Sequence, residues 1–255
     1  MPNMSPAEYS SCTIKEILEQ DSEKAFTLHF LGIDFGEYAT MNLREVCALR
    51  GIRLQTVLKE LVAAPKKIHP EEQSLIALPV GYIIGCLRHA HGVFTRQKLP
   101  YIDALIRKFH SETGTFQSVV KDLKVLFPLF TEDFVKHIHM EEDRLFSFIE
   151  MLVDAEKTRR LSSSLFYRLE KDSIHRFVVE HESHDDEMEG IRKITSDYKL
   201  ENNSPLGIRI LYSELQRMEQ LLLEHARIEN EILFPKAVAL EGRVRRMMHE
   251  NSRLN

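Results

Sequence analysis

Four long stretches of the chain repeat their hydrophobic residues every three or four positions, the spacing that places side chains on one face of an α-helix. The stretches cover residues 79–112, 117–154, 165–198 and 205–240. Their predicted connections lie near residues 113–114, 162–164 and 202–205. Four amphipathic helices joined in this way predict an up-down four-helix bundle. No segment alternates apolar and polar residues as a strand does, so the predicted fold class is all-α.

The residues before the bundle predict a small helical domain. Helices are expected over 14–19, 43–50 and 54–63, and Gly51 is expected to end one of them, because glycine is common just past a helix end. Prolines and mixed charge at 65–79 indicate a linker. Pro128, inside the second long stretch, is expected to kink that helix or to mark its true start. The predicted division is a small N-terminal domain at 1–64, the linker at 65–79, the bundle at 80–240 and a C-terminal tail at 241–255.

Histidine interrupts the apolar stripe of each long stretch, and glutamate interrupts two of them. The two glutamates are Glu141 and Glu229, and each follows a histidine, His137 or His225, by four residues. That spacing puts both side chains on one helix face, about one turn apart. A carboxylate on a core-facing stripe is costly unless it is paired, hydrogen-bonded or bound to a metal. Each pair is therefore a candidate for holding one ion or a bridged pair of ions.

The two His–Glu segments look like copies of one unit, because Leu-Phe follows each of them at the same offset. The spacing between the histidines of the first and second stretches nearly equals that of the third and fourth, so the bundle reads as two helical hairpins. Imidazole with carboxylate suits non-haem iron better than the thiolate-rich sites of structural zinc, and two carboxylates are suited to bridging two metal ions. The candidate ligands are His91, His137, Glu141, His181, His225 and Glu229.

Other histidines need separate interpretation. His184 shares the inner face with His181, one turn further on, and is the alternate ligand. His89 and His139 stand two positions from candidate ligands and point about 200° away from them on a helix. They are expected not to bind.

Nearby acids are candidates for supporting roles, because ligating histidines usually donate their other N–H to an acceptor. Asp133, one turn before a candidate histidine, and Glu180, just before another, are the expected acceptors and the candidate proton relay. Glu142 and Glu182 are equally compatible with plain surface charges.

Composition and charge narrow the classes of function. The net charge of −5 gives no basic excess, so nucleic acid is not an expected partner. The longest apolar run, 76–87, falls short of the roughly 20 residues of a membrane span, so no membrane association is expected. The three cysteines lack C-x-x-C spacing, and the N-terminus has neither the basic start nor the apolar core of a signal peptide. These features predict a cytoplasmic protein.

Four segments of the bundle form a recognisable set: Arg88–His91, 137–142 with the Leu-Phe pair after it, 180–182 with 190–192, and 225–235. Together they resemble the hemerythrin-like di-iron domains of the Repair of Iron Centres family. The resemblance implies that one histidine from each helix, namely His91, His137, His181 and His225, is a terminal ligand. It also implies that Glu141 and Glu229 bridge two non-haem iron ions that share an oxo bridge.

The N-terminal segments 29–35, 42–47 and 51–61 are similar to the small helical domain that precedes the bundle in this family. One departure concerns two adjacent cysteines followed by two glycines, which the family normally carries after Ile-Asp-Phe. Here that place reads Gly36-Glu-Tyr-Ala39. Thiol redox or transient iron transfer at this place is therefore in doubt. Cys47 and Cys86 are expected to be small buried residues.

The resemblance implies a protein that acts in oxidative or nitrosative stress and helps to restore damaged iron–sulfur clusters, by supplying iron or by handling nitric oxide. The implied partners are oxygen, nitric oxide or peroxide, damaged iron–sulfur proteins, and a second copy of the chain in a homodimer. Three alternatives stay open. They are an oxygen or nitric oxide sensor that signals to a protein partner, an enzyme such as a nitric oxide reductase or peroxidase, and a helical interaction module without metal. The missing cysteine pair adds weight to the sensor.

Overall fold

The computed structural model describes residues 5–63, 68, 72–109, 116–182 and 188–253, with the backbone alone at 72–73, 180–182 and 251–253. Every regular element in these ranges is helical, and the β structure among them is an isolated bridge between Thr13 and Asn42. The predicted all-α class is confirmed. None of the described helices combines the length and the apolar character needed to cross a bilayer.

Short helices form the N-terminal part: α1 (Pro6–Ser11), α2 (Ile14–Gln20), α3 (Lys24–Phe30), α4 (Phe35–Tyr38), α5 (Leu43–Arg50) and α6 (Leu54–Val62). Three of them begin with a capping box, in which a side chain at the N-cap and a glutamate three residues later satisfy each other's backbone N–H groups. Gly51 ends α5 with φ = 67°, a left-handed conformation that glycine adopts without steric cost. The predicted helix stop at Gly51 is confirmed.

Several of the later described helices are longer, and a π-helical turn directly follows three of them. The later elements are α7 (Glu72–Ile76), α8 (Val80–Val93), π1 (Phe94–Lys98), α9 (Leu99–Lys108), α10 (Phe116–Met140), π2 (Glu141–Phe146), α11 (Ser147–Thr158), α12 (Ser163–Lys171), α13 (Ile174–Glu182), α14 (Glu189–Ile194), α15 (Leu206–Ile228), π3 (Glu229–Leu233) and α16 (Phe234–Arg253). The three π turns directly follow α8, α10 and α15. Helix α10 continues through Pro128, so this residue does not mark the start of the helix. Within the predicted third stretch, the described residues show a break at 172–173, between α12 and α13.

The chain divides into two compact units, neither of which is one continuous segment. The first comprises Met1–Lys66, Tyr101–Lys124 and Ile191–Met218, and the second comprises Lys67–Pro100, Val125–Gly190 and Glu219–Asn255. In the first unit, Leu28, Val46 and Leu61 are fully buried where α3, α5 and α6 pack together. The predicted domain boundaries stay a prediction.

In the second unit the long helices pack as a bundle around one apolar core. Helix α11 lies along α16, α13 packs on α16, and α8 contacts both α11 and π3. The core includes Leu87, Phe146, Ile149 and Ile232, which are between 0 and 4% exposed. Burying a side chain of this size stabilises the fold by roughly 1.5–3 kcal/mol.

The last described helix continues beyond residue 240. Helix α16 runs on to Arg253, through the segment expected to be a tail, and Val244 and Met247 lie in the apolar core. Glu241 on this helix is buried, and its carboxylate accepts the backbone N–H of Ile174 at 2.8 Å. This contact satisfies a donor in the first turn of α13, which the helix itself leaves without an acceptor.

Candidate metal centre

Four buried side chains meet inside the second unit: His91 from α8, Glu141 from π2, His225 from α15 and Glu229 from π3. One potential ligand atom from each residue lies within 4.8 Å of those of the other three. Glu229 is 0% exposed and Glu141 is 3% exposed. The structure thus brings together four of the six residues that the sequence proposed as ligands.

The distances around His91 show how tightly these groups converge. Its Nε2 lies 3.1 Å from Nε2 of His225 and 3.3 Å from Oε2 of Glu141. His225 Nε2 lies 3.4 Å from Oε1 of Glu229, one turn further along the chain. The four groups therefore direct nitrogen and oxygen atoms at a common point.

His137 adds a third imidazole to this group through Glu141. Its Nε2 lies 3.0 Å from Oε1 of Glu141, and its side chain is 12% exposed. The Glu141 carboxylate therefore lies between two imidazoles, with one oxygen near His137 and the other near His91.

The π-helical turns begin at the two central glutamates. Glu141 is the first residue of π2 and Glu229 is the first residue of π3, so the two copies of the sequence repeat share this local structure. The first turn, π1, starts three residues after His91. Such turns insert an extra residue into a helix and occur frequently at functional sites. In each copy of the repeat, the helix therefore changes from α to π geometry at the central glutamate.

Side-chain hydroxyls donate hydrogen bonds to backbone carbonyl groups around two of these turns. The hydroxyl of Thr95 donates to the carbonyl of His91 at 2.8 Å. The hydroxyl of Ser147 donates to the carbonyls of Asp143 and Arg144, and the Arg168 guanidinium also donates to the Arg144 carbonyl. These bonds stabilise backbone whose regular i→i+4 pattern is interrupted.

Electrostatics of the cluster favour a bound cation. Burial by itself lowers the pKa of His91, but the carboxylates of Glu141, Glu142 and Glu229 together raise it above the ordinary value for histidine. The same negative charge that attracts a proton to this imidazole attracts a metal ion to the cluster. Imidazole nitrogens with carboxylate oxygens are a donor set that suits non-haem iron, so the residues present fit the implied metal.

Aromatic rings enclose this polar group. Phe146 stacks on the His91 ring with 6° between the planes, and Phe94 contacts the His225 ring edge-on. Both phenylalanines are 0% exposed. The rings fix the imidazole planes and keep water from the cluster, which strengthens electrostatic interactions inside it.

Several other residues named from the sequence are either exposed or outside the described residues. The side chain of His181, that of Glu180 and all of His184 lie outside the described residues, so their predicted roles stay predictions. Asp133 is 82% exposed and lies 3.6 Å from the Lys136 ammonium, a position that gives the predicted proton relay no support. His89 and His139 are exposed, as expected of residues that do not bind.

One contact was not anticipated from the sequence. Oε1 of Glu142 lies 2.8 Å from Nδ1 of His91, on the side of the ring away from the cluster. The sequence leaves Glu142 equally compatible with an acceptor for a ligating histidine and with a plain surface charge. The available signal was the general need of a ligating histidine for an acceptor, but an ordinary helix would turn this residue about 100° from Glu141.

Fold and site together define an all-helical protein with a buried His/Glu cluster that can bind metal. No family model matches the chain. Curated relatives are nonetheless found at low identity, and they share one description.

The chain is 21% identical over 185 residues to the iron-sulfur cluster repair protein YtfE of Yersinia pseudotuberculosis serotype IB, a match that covers 72% of this chain and 76% of the relative. It is 20% identical over 206 residues to the iron-sulfur cluster repair protein ScdA of Staphylococcus haemolyticus, over 80% of this chain and 88% of the relative. It is 24% identical over 192 residues to YtfE of Pectobacterium atrosepticum, with coverage of 72% and 76%. The chain is therefore a distant homologue of these repair proteins over most of its length.

Proposed function

We propose that this chain is a di-iron protein of the iron–sulfur cluster repair type that acts in oxidative or nitrosative stress. The observation that carries the proposal is the convergence of His91, Glu141, His225 and Glu229 in a buried core, with ligand atoms within 4.8 Å of one another. Distant homology to proteins named for iron–sulfur cluster repair supports the same role. The partners proposed on this basis are damaged iron–sulfur proteins, with oxygen, nitric oxide or peroxide as small ligands.

The chain's own residues account for holding such a pair of ions. Glu141 and Glu229 provide the negative charge, and the histidines His91, His137 and His225 provide neutral nitrogen donors. Two irons held by these residues would supply electron transfer and binding of a small ligand. His181 or His184 completes the set in this proposal.

To supply iron to a damaged iron–sulfur cluster of another protein, the metal site of this chain must also release iron. Histidine and carboxylate ligands hold iron by bonds that protonation weakens, because each must be deprotonated to bind. Iron should therefore pass to an acceptor protein more readily as the pH falls.

The proposed role is tested with an iron–sulfur dehydratase whose [4Fe–4S] cluster has been damaged by nitric oxide. The iron-loaded chain is expected to restore dehydratase activity, and iron should pass to the dehydratase when the two are separated and analysed. The variant Glu229→Gln should restore little dehydratase activity. The variant Glu231→Gln, which changes an exposed residue of the same π turn, should restore as much activity as the wild type does. Equal recovery with both variants, or none with the wild type, would exclude repair through this site.

A second candidate function is an oxygen or nitric oxide sensor. It is favoured by the residues Gly36–Ala39, which stand where the resembled family has paired cysteines. Cys47, in the same unit, does not replace them, because it is buried and burial raises the pKa of its thiol. A thiol held protonated is a poor nucleophile and metal ligand. Reversible ligand binding to the iron-loaded chain, without iron transfer to the dehydratase, would select the sensor.

A further inference from the structure

Two consecutive glutamates contact opposite nitrogens of one imidazole. Glu141 Oε2 lies 3.3 Å from Nε2 of His91, and Glu142 Oε1 lies 2.8 Å from its Nδ1. In an α-helix neighbouring side chains diverge by about 100°. Both glutamates lie in π2, where more residues share each turn and the divergence is smaller. The π turn therefore allows residues 141 and 142 to reach the same ring.

The contact with Glu142 determines which nitrogen of His91 carries the proton. An ionised carboxylate only accepts hydrogen bonds, so Nδ1 must be the N–H donor in the 2.8 Å contact. Nε2 has a longer contact, 3.3 Å, with the Glu141 carboxylate, so in the neutral ring the shorter contact with Glu142 favours the proton on Nδ1. Nε2 then carries a lone pair and faces His225 Nε2 at 3.1 Å. That is the tautomer a metal ligand needs at Nε2.

The face of the His91 ring packs against Phe146, which lies four residues after Glu142 in π2. Phe146 stacks on His91 with 5.7 Å between the ring centroids, and the Arg88 guanidinium lies 5.8 Å from the centre of the Phe146 ring. Arg88 also forms a two-pronged ion pair with Glu150, with 3.0 Å between Nη2 and Oε2. The plane of His91 is thus fixed by stacking, while Glu142 fixes its rotation within that plane.

The second copy of the sequence repeat lacks this carboxylate. Glu142 directly follows Glu141, and the residue that directly follows Glu229 is Asn230. The amide oxygen of Asn230 is buried and has no hydrogen-bond partner among the described residues. A neutral amide polarises an imidazole less than a carboxylate does, because a hydrogen bond to an ionised acceptor is stronger.

We propose that Glu142 is a positioning residue that orients His91 and presents its Nε2 to the metal centre, and that the two metal positions are unequal because the second half of the site has Asn230 in the matching place. The proposal rests on the metal site proposed above. It predicts that iron binds in two steps of different affinity, with the tighter step on the side of His91. Removing the carboxylate should bring the two affinities together.

The test uses Glu142→Gln, with Asp143→Asn as the matched control. Both changes remove one negative charge from π2, but Asp143 is exposed and has no described contact with His91. In anaerobic Fe(II) titrations of the full chain, Glu142→Gln should weaken the tighter step by about tenfold or more, and Asp143→Asn should change it less than about twofold. Equal affinities for all three proteins, or equal loss in both variants, would overturn the proposal.

A measurement on the metal-free protein separates this proposal from the proposed function. Nitrogen-15 NMR of the histidine rings, above the pH at which they lose their extra proton, should show His91 with its proton on Nδ1 in the wild type and in Asp143→Asn. In Glu142→Gln part of the population should move the proton to Nε2. A wild-type His91 with its proton on Nε2 would refute the positioning role, whether or not iron binds. Failure of every protein to bind iron, with the expected NMR result, would instead reject the di-iron function.

Discussion

Replacement of Glu229 by glutamine should make the metal-free protein more stable while removing its response to iron. Glu229 is 0% exposed, and one of its oxygens lies within 4.8 Å of an oxygen of Glu141. Two negative charges at that distance repel by about 3.5 kcal/mol at an effective dielectric constant of about 20. Burying each carboxylate costs several kcal/mol more, part of which the adjacent histidines offset. Glutamine keeps the shape without the charge, so the metal-free variant should gain roughly 1–3 kcal/mol.

Iron should reverse this order of stability. A ligand that binds only the folded state stabilises it by about 2.7 kcal/mol when its concentration is one hundred times Kd. The wild type should show an increase of that size with Fe(II). The glutamine variant, which lacks one of the carboxylates that meet at the cluster, should gain less than about 1 kcal/mol under the same conditions.

The assay is anaerobic urea unfolding followed by far-ultraviolet circular dichroism, first with a chelator and then with excess Fe(II). Glu231→Gln is the control, because it makes the same chemical change at an exposed position of the same π turn. A loss of more than about 1 kcal/mol in chelated Glu229→Gln would refute the reasoning about buried charge, since surface substitutions such as the control usually change stability by no more than about 0.5 kcal/mol. An iron response equal to that of the wild type would refute the assignment of Glu229 to the metal.

Two further predictions concern residues outside the cluster. Glu241→Ala should destabilise the protein by about 2–4 kcal/mol in urea unfolding, because the Ile174 N–H and the half-buried Arg245 guanidinium lose a charged acceptor, while Glu241→Gln should cost about 1 kcal/mol. Asp34→Ala should cost about 1 kcal/mol at pH 7, because Asp34 caps α4 through Gly36 N–H at 2.9 Å. Burial raises the pKa of Asp34, but Lys108 and the Gly36 N–H outweigh it and lower the pKa below the usual value. A lowered folded-state pKa gives stability that is present above the unfolded pKa of about 3.9 and is lost as the pH falls through the folded value, so the cost of Asp34→Ala should shrink in acid and stay constant above about pH 5.

Much of the fold was predictable because its determinants are local. The stripe that includes Phe134, Leu145 and Leu152 is buried as its three- and four-residue steps indicate. Gly51 ends a helix because the left-handed conformation has little cost for glycine. Glu141 and Glu229 were identifiable because a charged residue in an apolar stripe needs a compensating group, and the structure places both in the core.

The π turns were not predicted, because an extra residue in a helix changes the register without changing the residue types. A signal was present in the sequence. Leu145-Phe146 and Leu233-Phe234 are adjacent apolar pairs at the same place in both copies, and all four residues are buried. A regular α-helix buries adjacent residues less readily, since they diverge by about 100°. By themselves the pairs indicate only a repeat. The contact of Glu142 with His91 was not predicted either, because it depends on the changed register of the π turn.

The division of the third stretch also depends on distant residues. Helix α13 begins at Ile174, where the buried carboxylate of Glu241, far along the chain, accepts the first backbone N–H. A pattern confined to one stretch does not contain that contact. The same limitation applies to α16, which continues to Arg253 because Val244 and Met247 find an apolar core to pack against.

The most direct test of the account is the amount of iron that stays bound after anaerobic loading with Fe(II) and removal of excess metal, measured by mass spectrometry of the element. The wild type and Glu231→Gln should each retain about two irons per chain, as a bridged two-metal site requires. The double variant Glu141→Gln/Glu229→Gln should retain almost none, because it lacks both carboxylates of the cluster. Equal iron in the double variant and the wild type, or none in the wild type, would contradict the account.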